Sequence, residues 1–479
     1  MEHKIIYNDF AALADRNATM PAEGSSDYQH CTNLLDEDLR NVINYATFET
    51  KGINLLDNTL CFAQDADNCG FVSAATSNSV RAFSPAVALV IALSDGYYSA
   101  PGITLHFWQN FCTEFSVAWY GKDGEISSCD VSDCNTLDYY IENAVEDFNK
   151  VVITFKKTET AFQFVKLKGV DLGRAREITK FFGAIGVFHE ISDDCSDLPA
   201  ATCDFEAILA EDFSPQSEQE MFLYSDGALV GKFTVDNAEQ NGANKYVFEC
   251  SNDALKLEAD FPATPQGEYT VGALAQTVSD VTNIDIDVSY FGETALTGFF
   301  EKGTARQACA MLSFAAGCFA SSYKRKKLTF CKPRNRRNKI ITAKQILGEA
   351  KYKTNAPYSA LVLKTFNGSF DNIENELKHS NPAKKANSSV GEKIYEKYSF
   401  MSDAEQRFEE IKECGFYRNE ITATIILKDE QVGDILSIET PYNGIKTGII
   451  KSMDISYSTA VTAEIVIVER GYAENGGEA

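Results

Sequence analysis

Short runs in which every second residue is apolar recur along this 479-residue chain, and no other feature narrows its possible folds as much. Pro101-Gly102-Ile103-Thr104-Leu105-His106-Phe107 is one such run. Phe115-Ser116-Val117-Ala118-Trp119-Tyr120 is another, and it ends at the turn Gly121-Lys122-Asp123-Gly124. Val151–Phe155 and Phe162–Leu167 follow. A period of two puts alternate side chains on opposite faces of a strand, so each run buries one face only when other strands cover it. Several such runs with turns between them read as a β-sandwich or jelly roll. The 32 Phe and 21 Tyr against 11 Pro fit the same reading, since aromatic side chains suit half-buried sheet surfaces.

The pattern changes along the chain and divides it. Residues 1–35 are polar and Ala-rich and read as an N-terminal arm; residues 36–170 read as the β-sandwich. Residues 171–262 read as a small β-barrel, with Met221–Tyr224, the turn Ser225-Asp226-Gly227 and Leu229–Val235 as a hairpin. Residues 263–340 read as an α/β unit. Its helices are expected over Thr270–Asp280 and Thr304–Ala316, the second opened by a Thr304/Gln307 capping box and closed by Gly317. Residues 341–479 read as a second small barrel. It begins with a short helix at Ile341–Glu349 and is split by an excursion at about 378–418 that holds a helix capped by Ser402 and Glu405. The expected fold class is therefore mainly β with α+β elements.

Charge excludes several functions. There are 44 basic and 69 acidic residues, a net charge of −25, which opposes general wrapping of duplex DNA and adhesion to anionic membranes. No apolar run approaches the ~20 residues of a membrane span, and no signal-peptide apolar region follows Met1-Glu2-His3-Lys4. Thirteen cysteines without a repeating framework read as mostly reduced, buried thiols of a protein made in a cytoplasm.

Candidate chemistry is sparse. Cys129 and Cys134 lack the second half-site that zinc needs, as do Cys195 and Cys203; Cys61 and Cys69 flank a turn and are a disulfide candidate. His106 alternates with Leu105 and Phe107 at a solvated or satisfied sheet position, and His189 and Glu190 should point to opposite faces. Asp65-Ala66-Asp67-Asn68 with Gly70 opens like a calcium loop, but Cys69 and Thr76 stand where oxygen ligands belong. Asp285 and Asp287 share a strand face without showing a cleft between them. No phosphate-binding, nucleophile-elbow or zinc-protease motif is present, so no catalytic, cofactor-binding or metal residue is assigned. One charge feature stands out. Lys324, Arg325, Lys326, Lys327, Lys332, Arg334, Arg336, Arg337 and Lys339 occur with no acid among them. This cluster reads as a basic hairpin pairing with acidic surface on another domain or subunit, the subunit contact being favoured, with a lumen-facing positive collar toward nucleic acid or an acidic partner in a channel as the alternative.

The order of several stretches resembles a family of tail hub (baseplate hub) proteins of phages and prophages of Gram-positive bacteria. Tyr45-Ala46-Thr47-Phe48-Glu49 with Asn54-Leu55-Leu56-Asp57 is similar to the family's opening. The Pro101–Phe107 strand, the Trp119-Tyr120 step and Thr158–Leu167 with Gly173 follow in the family's order. Thr202-Cys203-Asp204-Phe205, Gly231-Lys232-Phe233 and the helix from Ala305-Arg306-Gln307-Ala308 to Phe314-Ala315-Ala316-Gly317 come next. The sequence departs from the pattern at Ala161, Gln163 and Asn58, which are scaffold positions.

The resemblance implies a homotrimeric hub with two small barrels per protomer, joining a six-fold tail tube to a three-fold tip, with a jelly roll at the N-terminal side. It implies no enzymatic activity and no cofactor. The implied partners are copies of itself, tail tube or distal tail proteins, a tip or spike protein and the tape-measure protein, in a virion or phage-tail-like particle, with no membrane. A second expectation is a host-glycan adhesin, in which Trp108 or Trp119 of the sandwich stacks on sugar, although a core position is the favoured reading of both.

Overall fold

The computed structural model describes residues 2–11, 13–36, 44–47, 61–64, 70–211, 213, 215–381, 390–396, 398–416 and 418–469. Most of the described residues are in strands, and the fold is mainly β. Contacts divide the chain into two compact units, Tyr7–Arg176 and Met1–Ile6 with Glu177–Ala479. The strand His3–Phe10 carries the chain from one unit to the other, so the polar lead-in, read as an irregular arm, contains regular structure.

The unit Tyr7–Arg176 holds two five-stranded sheets. One runs Gly124–Val131, Cys112–Gly121, Lys150–Thr158, Ala82–Leu93, Ala18–Thr19. The other runs Asp138–Phe148, Tyr98–Phe107, Phe164–Asp171, Phe71–Thr76, Tyr28–Cys31. The alternating runs explain the packing. Phe115, Val117 and Trp119 stand opposite Phe155, Ile153 and Val151 in register, and all six are fully buried. Ile103, Leu105 and Phe107 of the other sheet join the same core. Each fully buried side chain of this kind contributes roughly 1.5–3 kcal/mol relative to exposure. The opening motif continues beyond Thr47 into residues outside the described ones, and the calcium-like stretch Asp65–Asn68 and Cys69 also lie outside them.

The other unit is built on one continuous sheet. Its order is Glu220–Ser225, Ala228–Gln240, Lys245–Ser251, Thr202–Ile208, Ile185–Glu190, Gly444–Tyr457, Val461–Glu469, Glu420–Ile426, Lys351–Lys353. Asp434–Thr440 pairs with Gly444–Tyr457 and, in parallel, with Arg334–Ile341. Two groups of strands, one early and one late in sequence, thus join at a single seam where Ile185–Glu190 lies antiparallel to Ser452–Tyr457. Along the seam Ile185, Val187 and His189 point inward with Met453, Ile455 and Tyr457.

Between the two groups lie the helices. Val271–Thr282 begins at Thr270, whose hydroxyl accepts from the Ala273 N–H at 3.2 Å. Ala305–Ala316 carries the reciprocal Thr304/Gln307 capping box, and Gly317 ends it in the left-handed region at φ 63°. The two helices share one core with Phe261, Phe300, Leu328 and Phe330.

Two expectations differ from the structure. Residues 342–349 form turns rather than a helix. The excursion from the second strand group begins earlier than expected, as a small sheet of Ile373–Ser380, Ala360–Phe366 and Lys393–Tyr395 covered by the helix Ala404–Gly415. Residues 382–389 within it lie outside the described ones. The helix starts one residue after the expected cap. Asp403 accepts from the Gln406 N–H at 3.0 Å, while Ser402 donates to the Ala315 carbonyl at 3.2 Å.

Candidate functional site

The basic stretch is placed by an irregular parallel pairing. Arg334 and Asn335 stand opposite Asp434 and Ile435, and Ile340 and Ile341 stand opposite Ser437 and Ile438. The strand therefore gains residues between Asn335 and Ile340 that its partner lacks, which sets Arg336 and Lys339 against the loop Lys428–Asp434. Gly433 makes that loop possible. Its φ is 83°, and a Cβ there would lie 2.2 Å from the Phe319 ring.

The loop supplies three carboxylates. Asp434 and Glu430 have fully buried side chains. Arg334 donates to Asp434 in a bidentate pair, Nε to Oδ1 at 2.6 Å and Nη2 to Oδ2 at 2.7 Å. Arg336 reaches the Asp429 carbonyl at 3.0 Å, Asp434 at 3.3 Å and the Asp429 carboxylate. Lys339 contacts Asp429 and lies 2.6 Å from Glu430, which also accepts from Gln345 at 2.8 Å. Hydrogen bonds from Lys339 and Arg336 hold the Asp429 carboxyl down at about 2. Burial would raise Glu430, but the bonds from Lys339 and Gln345 outweigh it and leave it lowered.

A third of the cluster is thus spent within the chain. Arg334, Arg336 and Lys339 neutralise the buried Asp434 and Glu430 and the exposed Asp429 of their own chain. The sequence signal that could have shown this is the acid-bearing segment Asp429-Glu430-Gln431-Val432-Gly433-Asp434. A buried carboxylate needs a partner, and the chain offers few other concentrations of cations.

The remaining members lie differently. Arg325 donates to the Cys331 sulfur, and Lys327 is 3.7 Å from Asp285. Arg337 accepts from Ser437 through its carbonyl at 3.2 Å. Lys324, Lys326 and Lys332 are exposed and lie against aromatic rings. Lys324 Nζ is 5.2 Å from the Tyr323 ring centre, Lys326 is 5.9 Å from Phe222, and Lys332 is 5.8 Å from both Tyr290 and Phe291. Tyr290 is 77 % exposed. Tyr323 directly precedes the basic stretch, whereas Phe222, Tyr290 and Phe291 come from other segments and give it aromatic company that its own sequence lacks.

The acids of the outer sheet face form a second charged surface. Asp204 stands directly opposite Glu249, and Asp454 directly opposite Glu464. All four are exposed. Partial burial, then Glu249, Asp236 and Asp454, push the Asp204 carboxyl up. Phe188, 36 % exposed, lies between these pairs on the seam, opposite Asp454.

A third polar group is interior. Asp194, buried in the loop after Ile185–Glu190, contacts Lys393 and accepts from Ser192 at 2.9 Å and Tyr395 at 3.0 Å. Burial opposes its ionised form, but Lys393 and the hydroxyl donors outweigh burial and lower its pKa. Arg407 donates to the Asp194 carbonyl at 3.0 Å and to the Phe314 carbonyl at 2.6 Å. This group fastens the helix Ala404–Gly415 and the excursion sheet to the first strand group. Nothing in the spacing of its members reveals it.

The two sandwich tryptophans are interior. Trp119 is fully buried and Trp108 is 7 % exposed with the buried Lys166 ammonium 5.4 Å from its ring, so neither presents a face for a sugar to stack on. The sandwich has an open groove of about 350 Å³ lined by Tyr120, Lys122, Asn149 and Lys150, but Lys150 already occupies one face of Tyr120 at 4.4 Å. His106 is a satisfied sheet position with two carboxylate partners. Its Nδ1 is 2.6 Å from Asp138 and its Nε2 2.9 Å from Asp171. Burial would lower this imidazole, but the two carboxylates outweigh burial and raise it. His189 and Glu190 do point to opposite faces. His189 is buried 4.9 Å from the Tyr323 ring, with Nε2 unpartnered, and burial pushes it down to about 3; Glu190 pairs outside with Lys451 at 3.4 Å. Among the described residues no group of three or more His, Cys, Asp or Glu is arranged to hold a metal, and no helix is long and apolar enough to cross a membrane.

No protein-family model and no curated protein matches the chain. Solved structures similar to it include tail proteins. The 43 kDa tail protein of prophage MuSo2 from Shewanella oneidensis is 12 % identical, with 62 % of this chain and 96 % of that one covered at a TM-score of 0.44. Prophage tail protein gp18 from Listeria monocytogenes EGD-e is 12 % identical, with coverages of 63 % and 92 % at 0.45. The tail protein from Neisseria meningitidis MC58 is 10 % identical, with coverages of 61 % and 93 % at 0.43.

Proposed function

We propose that this chain is a structural, non-enzymatic component of a phage tail or phage-tail-like particle, acting at the hub. A homotrimer would join the six-fold tail tube to a three-fold tip. The observation that carries the reading is the order of the sequence motifs together with where they fall. The motifs at 101–107, 119–120 and 158–167 lie in the sandwich, those at 202–205 and 231–233 in the first strand group, and that at 305–317 in the central helix. The two strand groups joined at one seam, with an α/β unit between them and an excursion in the second, correspond to the two barrels such a hub needs. In the sandwich the chain passes between sheets in the order expected of a jelly roll, with Phe71–Thr76 beside Phe164–Asp171 and Ala82–Leu93 beside Lys150–Thr158. The charge pattern fits assembly, since large repeated interfaces rather than a cleft would supply affinity.

Cryo-EM of particles from the producing strain tests the proposal. Three copies ringed beneath the six-fold tube are expected. Copies confined to peripheral fibres, or absent from the particle, would overturn it.

A further inference from the structure

A small cavity of about 40 Å³ lies where the strands Phe319–Ser321 and Leu328–Cys331 meet the loop Lys428–Asp434. Ser321, Arg325, Cys331, Lys332, Arg334 and Gln431 line it, with the Phe319 ring among its apolar walls. Strand parity explains why it exists. Phe319 stands opposite Cys331, so both face away from the core that takes Cys318, Ala320 and Phe330. Gly433 lets the loop close on the Phe319 ring, since a Cβ there would strike it.

The charge around this cavity is unequal. Arg334, Arg336 and Lys339 meet Asp429, Glu430 and Asp434, so that network is neutral by itself. Arg325 and Lys332 are in surplus. Arg325 gives one N–H to the Cys331 sulfur, a weak acceptor, and its remaining donors are unspent. Asp287 acts on Arg325 only through space, and its carboxylate accepts from the Ser289 N–H at 3.0 Å. Lys332 lies against the Tyr290 and Phe291 rings, which attract an ammonium without neutralising it. Two surplus cations thus line a space that holds roughly three water-sized groups, about the size of a carboxylate.

We propose that this cavity binds a small oxyanion, a carboxylate or phosphate group, through Arg325 and Lys332. Planar guanidinium donors match either group. The Ser321 hydroxyl accepts from the Tyr323 N–H at 3.2 Å, which leaves its own proton to give, and the Gln431 amide supplies a further donor. Arg334 is committed to Asp434 and serves as wall. The occupant is a free anion or the acidic side chain of another protein, and the chemistry that holds it is the same. The site does not depend on the hub reading, since this chain alone supplies every donor.

Cys331 reports on the site. It is half-exposed and lines the cavity, so an occupant shields its thiol. The full chain is alkylated with iodoacetamide, a neutral reagent, and modification at Cys331 is followed by mass spectrometry. Cys129, half-exposed on the strand Gly124–Val131, is the internal reference. Acetate, inorganic phosphate and a short end-blocked peptide containing Glu are added separately, with chloride holding ionic strength constant. At least one should slow Cys331 about fivefold, with half-protection near ~1 mM, the affinity that two charge-assisted hydrogen bonds support. Cys129 should be unaffected. Protection by the peptide at lower concentration than by acetate or phosphate identifies a protein side chain as the occupant, and the reverse order identifies a free anion. Arg325→Gln and Lys332→Gln, each shown by circular dichroism to be folded, should each raise the half-protecting concentration about tenfold or more. Lys332→Gln keeps the Arg325 contact to the thiol, so it separates anion binding from thiol reactivity. No protection by any of the three additives, equal protection of Cys129, or protection unchanged in both variants would overturn the proposal.

Discussion

At the scale of single residues, charge is decided by what lies across the fold. Arg334 and Lys332 are two positions apart, yet one is locked in a bidentate pair with a buried carboxylate and the other projects beside Tyr290. Their substitutions should therefore differ in kind. Arg334→Ala leaves Asp434 buried and short of its strongest partner and should cost about 3 kcal/mol in denaturant unfolding, the lower end for such a break because Arg334 is itself half-exposed. Adding Asp434→Asn should recover most of that loss, since the uncompensated charge is then gone. Equal stability of Arg334→Ala and wild type would show that Asp434 is satisfied without Arg334, by Arg336 and the Gln431 N–H.

At the scale of elements, helix starts are set by which side chain reaches the free N–H groups of the first turn. Thr304 does so with Gln307 in the expected box. For the helix Ala404–Gly415 the sequence offers two candidates in a row. The structure uses Asp403, because packing against the central helix draws the Ser402 hydroxyl to the Ala315 carbonyl. Asp403→Ala should cost about 1 kcal/mol and speed amide exchange at Gln406. Ser402→Ala should leave exchange at Gln406 unchanged. Faster exchange in the serine variant would return the cap to Ser402. The strand Arg334–Ile341 shows the opposite limit. Its alternation is broken by charged residues, and only the partner strand Asp434–Thr440 defines where its irregular register falls.

At the scale of the whole molecule, two units with separate cores carry histidines shifted in opposite directions. His106 has a raised pKa, so its contribution is complete below the unfolded value near 6.5 and is lost as pH rises through the raised value. His189 has a pKa depressed to about 3, so its contribution is complete above 6.5 and is lost as pH falls toward 3. Calorimetry should resolve two transitions. Going from pH 7 to 5 the one belonging to Glu177–Ala479 should lose about 2 kcal/mol relative to a His189→Phe variant. Identical pH slopes with and without His189 would show that it is not held neutral in the folded state. The parity of the sandwich strands, the Thr304 box and the mainly β class were legible in the sequence, because each depends on neighbours within a few residues. The cap at Asp403, the two carboxylates around His106 and the division of the basic stretch into spent and exposed cations were not. Arg334 and Asp434 are one hundred positions apart, and Asp194 and Arg407 more than two hundred. Alternation fixes which face of a strand is wet, but only the pairing of distant strands decides which charges meet on that face.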